Sequence, residues 1–400
     1  MLETIRVLFV DDEPMVLEAL ENRLRRYRHR WAMVFVDSAA AAISVLECTP
    51  FDVIVTDMRM PNQDGRALLE WVKEHAPSMG RIVLSGYTDR QSALACLGIA
   101  HLTLGKPCEI DALERGIECA GRFQHLLSHP TLKDVVGSTD RLPTLPRVSL
   151  ELRTALADEH ASIGTIAGIV ERDPGLSAKL LQVINSPIFG LRRSVTSSRE
   201  AVSYLGLDLL QDLMLALHTY SCFELPVGGR LTMQMHRDHS LRTARIAAAI
   251  AGREHAAAFS AGLLHDVGTL LLHAELPDLM NELYCASVAQ GRPQHELERE
   301  AWGVTHADVG AFLLGLWGLP DSIVQSVALH HSPDRGPRSH LASLVAVADA
   351  LAHEQTGHQS SAQTERSFHE SPELLERLPH WRGQAARIMS EESARLEVRS

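Results

Sequence analysis

Five short apolar runs alternate with helical segments through the first 120 residues, and that alternation leaves few folds open to this chain. The runs are 5–10, 32–36, 51–56, 81–84 and 101–104; helical spacing marks 15–28, 39–48, 66–75, 90–97 and 109–127. Five strand–helix units of this length predict a doubly wound, five-stranded parallel sheet. Such sheets place ligands outside the carboxyl ends of the strands, where strand order reverses, here beside the first and third strands. Those two strands end in acids: Asp11 and Asp12 follow the first run and Asp57 follows the third.

Three converging carboxylates make a hard-oxygen site suited to Mg²⁺, which needs few protein ligands and keeps several waters. Ser85 follows the fourth run, and Lys106, followed by Pro107, ends the fifth. Acid pair, lone aspartate, hydroxyl and ammonium together describe a pocket that accepts a phosphoryl group onto a carboxylate. Each charge alone would read as a solvated strand end; four in order, each at a strand end, favour function. Dinucleotide binding fails on chemistry. The first turn, Asp11-Asp12-Glu13-Pro14, has no glycine, and its carboxylates would repel a pyrophosphate.

Four hundred residues exceed what a single core usually holds, so two or three domains are expected. Pro130, Gly137, Pro143 and Pro146 punctuate a stretch where the strand pattern stops, and the domain boundary is placed there. The expected division is 1–121, a linker 122–141, a second domain 142–352, and a polar loop with a C-terminal helical segment over 353–400. Beyond the boundary the spacing is helical: 149–157, 163–171, 175–185, 200–205, 207–219, 237–252 and 255–273 read as a packed all-α domain. With 45% hydrophobic and 22% charged residues, the composition is that of an ordinary globular protein. A net charge of −12 argues against broad nucleic-acid or anionic-membrane binding, and no run reaches the length of a membrane span. Six cysteines without paired spacing fit reduced thiols and a cytoplasmic location. Most of the 21 histidines lie after Gly121.

Asp11-Asp12-Glu13-Pro14, Thr56-Asp57-Met58-Arg59-Met60-Pro61, Ser85-Gly86 and Lys106-Pro107 together resemble the receiver domain of two-component response regulators, over about residues 6–121. The resemblance implies Asp57 as phosphoacceptor, fed by a sensor histidine kinase or a small phosphodonor. It implies Mg²⁺ on Asp12, Asp57 and the backbone carbonyl of Arg59, with Asp11 acting mostly through water. Lys106 would pair with the phosphate and Ser85 would donate to it, and the Lys106-Pro107 bond is expected to be cis. Many receivers carry an aromatic switch residue three positions before the lysine, whereas this chain has Thr103. Signalling is therefore expected to lean on dimerisation through the last helix of the domain, giving a homodimer.

The second domain carries Gly262-Leu263-Leu264-His265-Asp266-Val267-Gly268, preceded by His239 and followed by His306, His330-His331 and Asp349. Adjacent His265 and Asp266 on one helix would lie about 100° apart and reach one metal from the helix edge. This pattern resembles the HD superfamily of metal-dependent phosphohydrolases. Asp173-Pro174-Gly175-Leu176, Asn185-Ser186-Pro187, residues 201–206, 305–310 and 316–320 narrow the likeness to the HDOD (HD-related output domain) group, over about residues 142–352. The resemblance implies a regulatory module, with His239, His265, Asp266 and Asp349 as candidate ligands for Fe, Mn, Zn or Ni. Glu300, which precedes His306 by six residues, His306, His330 and His331 are weaker candidates. Thr269 stands where active cyclic-dinucleotide phosphodiesterases carry lysine, and Ser332-Pro333-Asp334 replaces their Gly-Tyr-Pro motif.

The expected whole is a bacterial-type response regulator in a phosphorelay, with phosphorylated Asp57 gating an HDOD output that contacts another protein. The alternative is a metal-dependent phosphohydrolase acting on a cyclic dinucleotide or nucleotide. No helix-turn-helix pattern is present, so direct DNA binding is not expected.

Overall fold

The computed structural model describes residues 4–60, 65–86, 99–126, 146–156, 158, 161–186, 189, 191, 193–218, 233–331, 340–357, 361, 364–365, 368 and 371–397. The segment 90–97, read as a helix, and the punctuated stretch before residue 146 lie outside these.

The N-terminal part runs β1 (Ile5–Val10), α1 (Pro14–Leu24), a 3₁₀ turn, β2 (Trp31–Val36), α2 (Ala39–Cys48), β3 (Val53–Asp57), α3 (Gly65–His75), β4 (Gly80–Gly86), β5 (Leu102–Lys106) and α4 (Ile110–Leu126). All strands are parallel in the order β2-β1-β3-β4-β5, with the reversal between β1 and β3. Parallel strands covered on both faces must be apolar on both, and β3 is buried at every residue. Side chains alternate accordingly: Val7, Phe9, Val53, Val55 and Ile82 meet Leu113 and Ile117 of α4 on one face. On the other, Leu8, Val10, Ile54 and Val83 meet Ala42, Leu68 and Val72.

The second part is helical among the described residues: α5 (Pro146–Leu156), α6 (Ile163–Val170), α7 (Pro174–Ile184), α8 (Ser198–His218), α9 (Met233–Ile250), α10 (His255–Leu264), α11 (Val267–Glu275), α12 (Pro277–Gln290), α13 (Gln294–Trp302), α14 (His306–Leu316), α15 (Asp321–Leu329), α16 (His340–Gln355) and α17 (Pro372–Glu397). Asp173 caps α7 through the Leu176 amide with Pro174 at its first position, and all eleven residues of that helix are buried. Thr305 and Asp308 form a reciprocal capping box at the start of α14. The two helices expected at 200–205 and 207–219 meet at Gly206, whose non-helical backbone (φ 72°, ψ 172°) kinks α8 there; residue 219 lies outside the described residues. The single helix expected over 255–273 is instead two, α10 and α11, broken at His265-Asp266. Asp266 (φ −108°, ψ 19°) leaves the helical region, so the two residues sit at the junction of two helices and not along one helix edge.

The two parts touch. The Gln182 Nε2 of α7 donates to the His101 carbonyl just before β5, at 3.1 Å. The Cys119 thiol of α4 lies 3.9 Å from the Phe312 carbonyl of α14. One apolar cluster runs continuously from the sheet through Leu113 and Ile117 to Phe312, Leu316 and Trp317. Beside this contact lies a cavity of about 610 Å³ whose wall includes Thr103, Gln182, Ser186 and Trp317.

Candidate functional sites

The strand register aligns the carboxyl ends of β1, β3, β4 and β5: Val10 faces Thr56, Asp57 faces Leu84, Ser85 faces Gly105 and Gly86 faces Lys106. Asp11, Asp57 and Ser85 are buried, and Asp12 is half-exposed at the mouth. The Lys106 ammonium bridges two acids, 2.6 Å from Asp57 Oδ1 and 2.7 Å from Asp11 Oδ2. Backbone amides take other oxygens: Glu13 N–H donates to Asp11 Oδ1 and Arg59 N–H to Asp57 Oδ2, each at 3.0 Å. The latter brings the Arg59 backbone to Asp57. Burial would lower the Lys106 pKa, but its bonds to Asp11 and Asp57 outweigh that and hold it above the usual lysine value. The Lys106-Pro107 peptide is cis. A Cβ on Gly65 would meet the Asp57 carbonyl oxygen at 2.0 Å, so only glycine lets α3 start this close to Asp57.

One ammonium faces three carboxylates, an excess of negative charge at a water-accessible mouth. Such a donor set fits a hard divalent cation. Asp12, Asp57 and the Arg59 carbonyl would hold it, with Asp11 behind Lys106.

The second site is a knot of histidines around two aspartates where α9, α10, α14, α15 and α16 meet. His239 Nε2 is 3.0 Å from Asp349 Oδ1, His265 Nε2 is 3.5 Å from the same oxygen, and His306 Nε2 is 3.2 Å from Asp266 Oδ1. Three sets of ligand atoms converge within 4.8 Å: His239, His265 and Asp349; His265, Asp266 and His330; His306, His330 and His331. His265 belongs to two sets and His330 to two, so His330, a weaker candidate on sequence, is central in space.

The buried rings are held in one orientation by their outer nitrogens. His265 Nδ1 donates to the Gly262 carbonyl and His330 Nδ1 to the Val327 carbonyl, each at 2.7 Å. That turns both Nε2 atoms inward: His265 Nε2 faces Asp349 Oδ1, and His330 Nε2 has no hydrogen-bond partner. Inward-facing imidazole lone pairs beside two carboxylates fit a transition metal. Close packing sets the geometry: a Cβ on Gly268 would meet the His306 carbonyl oxygen at 1.9 Å, so α11 and α14 touch backbone to backbone.

Glu300 does not join this site. It lies on the surface, bound to Arg292 at 2.6 Å. The acid that serves His306 is Glu298, fully buried, which accepts from His306 Nδ1 at 2.7 Å and from its backbone N–H at 2.8 Å. Burial would keep His306 neutral, but Glu298 and Asp266 overcome it and raise the pKa to about 9. Burial drives His330 the other way, to about 3, helped by its cationic neighbours. Burial opposes ionisation of Asp266 and Asp349 too, yet the surrounding histidines hold both well below the usual carboxylate range. His353 was not anticipated either. It stands one helical turn from Asp349, its Nε2 3.3 Å from Oδ1, and its ring packs 4.3 Å from that of His239. The i,i+4 spacing of Asp349 and His353 was the available signal. At Thr269, the hydroxyl donates to Asp266 Oδ1 at 2.9 Å. Among the described residues Asp266, Asp349 and Glu298 form ion pairs with histidines and with no lysine or arginine.

Comparison with known proteins agrees with this two-part division. Residues 7–118 match the family model for the response regulator receiver domain, and residues 142–333 match that for the HDOD domain. The chain carries a response regulator receiver domain followed by an HDOD domain. It is 28% identical over 224 residues to an uncharacterized protein of Treponema pallidum, covering 52% of this chain and 42% of that one. It is 31% identical over 156 residues to the hydrogenase transcriptional regulatory protein HoxA of Cupriavidus necator, covering 37% and 28%. The chain thus spans less than half the length of either relative. Among solved structures, the MmoQ response regulator of Methylococcus capsulatus aligns at 24% identity and a TM-score of 0.47, over 57% of this chain and 92% of that one. No helix among the described residues is long and apolar enough to cross a membrane.

Proposed function

We propose that Asp57 accepts a phosphoryl group from a histidine kinase or a small phosphodonor, and that its charge state gates the HDOD domain. The observation that carries this reading is the placement of the Lys106 ammonium between Asp57 and Asp11, with Asp12 at the open mouth. An Asp57 oxygen forms the new P–O bond while the donor's bond to phosphorus breaks and the donor keeps the electron pair. Lys106, already at the pocket floor, then faces the added phosphoryl oxygens, and Ser85 stands at the neighbouring strand end to donate to them. Bound Mg²⁺ would neutralise the crowded carboxylates.

The HDOD domain acts in this reading through protein contacts. Its acids are balanced by histidines, and Thr269 supplies a hydroxyl where hydrolysis would want a cation for the developing phosphate charge. His239, His265, Asp266 and Asp349, with His330, would hold a transition metal as a structural or sensing group.

Phosphate-affinity gels of the protein treated with acetyl phosphate and Mg²⁺ test the first step: wild type is expected to shift and Asp57→Asn to stay. Equal shifts would overturn the assignment. For the output domain, protein reconstituted with Mn²⁺ or Fe²⁺ is expected to bind metal without turning over cyclic dinucleotides. Multiple turnovers lost on Asp266→Ala would favour hydrolysis instead.

A further inference from the structure

We infer that the cavity between the two domains is a binding site for a small, uncharged molecule with a lactam edge, an N–H beside a C=O in one ring. The site lies in the docked arrangement described above and is independent of the phosphoacceptor reading.

Two buried groups set the polar requirement. Gln182 of α7, only 7% exposed, donates its Nε2 to the His101 carbonyl at 3.1 Å. Only the amide nitrogen can donate to a carbonyl, so that bond fixes the side chain's orientation and leaves Oε1 as an acceptor. Among the described residues nothing donates to it. Ser186 Oγ, on the same wall, is likewise buried and without a partner. The Ser186 amide bonds back to the Val183 carbonyl at 3.1 Å, so the last turn of α7 carries on to this residue. Positions four apart on such a turn share a face, about 5–6 Å from each other at Cβ. An acceptor and a hydroxyl at that spacing match an N–H and a C=O set side by side: the N–H donates to Gln182 Oε1 and the carbonyl accepts from Ser186 Oγ. A buried acceptor without a donor costs free energy, and a ligand that supplies the donor recovers it.

The rest of the wall selects against charge. Leu102, Leu104, Trp317, Leu319 and Val324 give the cavity an apolar lining. Its two glutamates are already served: Arg30 lies 2.6 Å from Glu114 and 3.2 Å from Glu118. The Tyr27 hydroxyl donates to Glu114 at 2.6 Å and the Trp31 indole N–H to Glu118 at 2.9 Å. Arg115 and Asp321, also on the wall, are exposed and opposite in sign. A charged ligand therefore finds no uncommitted countercharge out of water. About 610 Å³ falls within the range of roughly 300–1,000 Å³ in which small molecules bind, and an apolar lining with a few convergent polar groups is the usual makeup of such sites.

Both domains build the site. β5 and α4 supply one part of the wall, and α7, α14 and α15 supply the other. Beside the cavity the seam is closed: a Cβ on Gly318 would lie 2.8 Å from Leu102, and one on Gly315 would lie 3.0 Å from the Cys119 sulfur. A ligand held there touches both domains and stabilises their contact by mass action.

Isoquinolinone, an apolar bicyclic lactam, is the probe, and N-methylisoquinolinone, the same ring without the donor, is its control. Ligand-observed NMR titrations of the full-length protein measure both affinities. Isoquinolinone is expected to bind, and N-methylation to weaken it about ten-fold, as when one hydrogen bond to a buried acceptor is lost. Ser186→Ala should weaken it about three-fold, and Val324→Trp, which fills the cavity, should abolish binding. Binding of neither compound at millimolar concentration would mean that water alone serves Gln182 and Ser186, and would overturn the site. Equal binding of the two compounds, or binding that survives Val324→Trp in a folded protein, would overturn it as well. The two compounds are compared on the wild-type chain, so the test holds even where a variant fails to fold. Hypoxanthine and cyclo-dileucine carry the same edge from two natural sources, a nucleobase and a cyclic dipeptide. Displacement of isoquinolinone by either supports the site and assigns the source; displacement by neither overturns it.

Discussion

The two acidic sites solve the same problem, crowded carboxylates, in opposite ways. In the receiver pocket three acids meet one lysine at the open end of a sheet, so negative charge is left in excess and in reach of solvent. In the HDOD knot the acids, Asp349 buried and Asp266 half-buried, are compensated by histidines that can take or release protons. The first arrangement leaves charge that an incoming cation would neutralise. The second stores its own countercharge, as suits a group that holds a structure or senses a metal.

Removing an acid should therefore have opposite consequences at the two sites. Asp266→Ala leaves a protonated His306 with one fewer partner in a buried site, and we expect a loss of about 3–5 kcal/mol from the HDOD unfolding transition in urea. A loss under 1 kcal/mol would show that the knot is not charge-balanced as described. Lys106→Met takes away the ammonium that bridges Asp11 and Asp57 in the receiver pocket. Phosphorylation of Asp57 should slow about 10²-fold, as when one donor to a developing charge is deleted. A rate within two-fold of wild type would break the comparison on the receiver side.

Acid should separate the domains next. Burial lowers the pKa of His236, His273, His295, His330, His331 and His353, to about 3 for His236 and about 4 for His273. A histidine depressed in the fold binds its proton more readily when unfolded, so its cost grows as pH falls through about 6.5 toward the folded value. His265 and His306 are raised and work the other way, favouring the fold below about 6.5 and losing that contribution as pH rises through the folded value. Six against two makes the HDOD domain acid-labile, by about 1 kcal/mol per uncompensated histidine between pH 7.5 and 5.5. Thermal unfolding at the two pH values checks this, with the receiver transition moving less. The smallest effect is expected from Asp12→Asn. Relieving like-charge repulsion at an exposed mouth should leave stability unchanged or raised by up to about 1 kcal/mol, and a clear loss would mean that Asp12 is already paired.

The receiver was more legible in the sequence than the HDOD knot, for a physical reason. Its pocket is built from strand ends, and a strand end is a local feature: an apolar run stops and an acid or lysine follows. The knot is assembled from single residues on five helices, and helix phase decides who enters. Glu300 was chosen by its distance in sequence from His306, but two residues along a helix is about 200° around it. Glu298 therefore points inward and Glu300 outward, toward Arg292. The break at His265-Asp266 carries no proline to mark it, and Gly268 just beyond it lies against the His306 backbone of α14.

The seam between the domains has a consequence for biosynthesis. Leu102 is covered by Gly318, which leaves the ribosome 216 residues later. At about 5–20 residues per second the receiver completes its sheet roughly 10–40 s before its cover exists. During that interval the apolar flank around Leu102 and Cys119 is bare on a finished domain. A pause before residue 318 would lengthen that exposure, and a receiver truncated near residue 126 would keep it for good. Such a fragment should be more prone to self-association than the full chain, which ties the solubility of the first domain to the synthesis of the second.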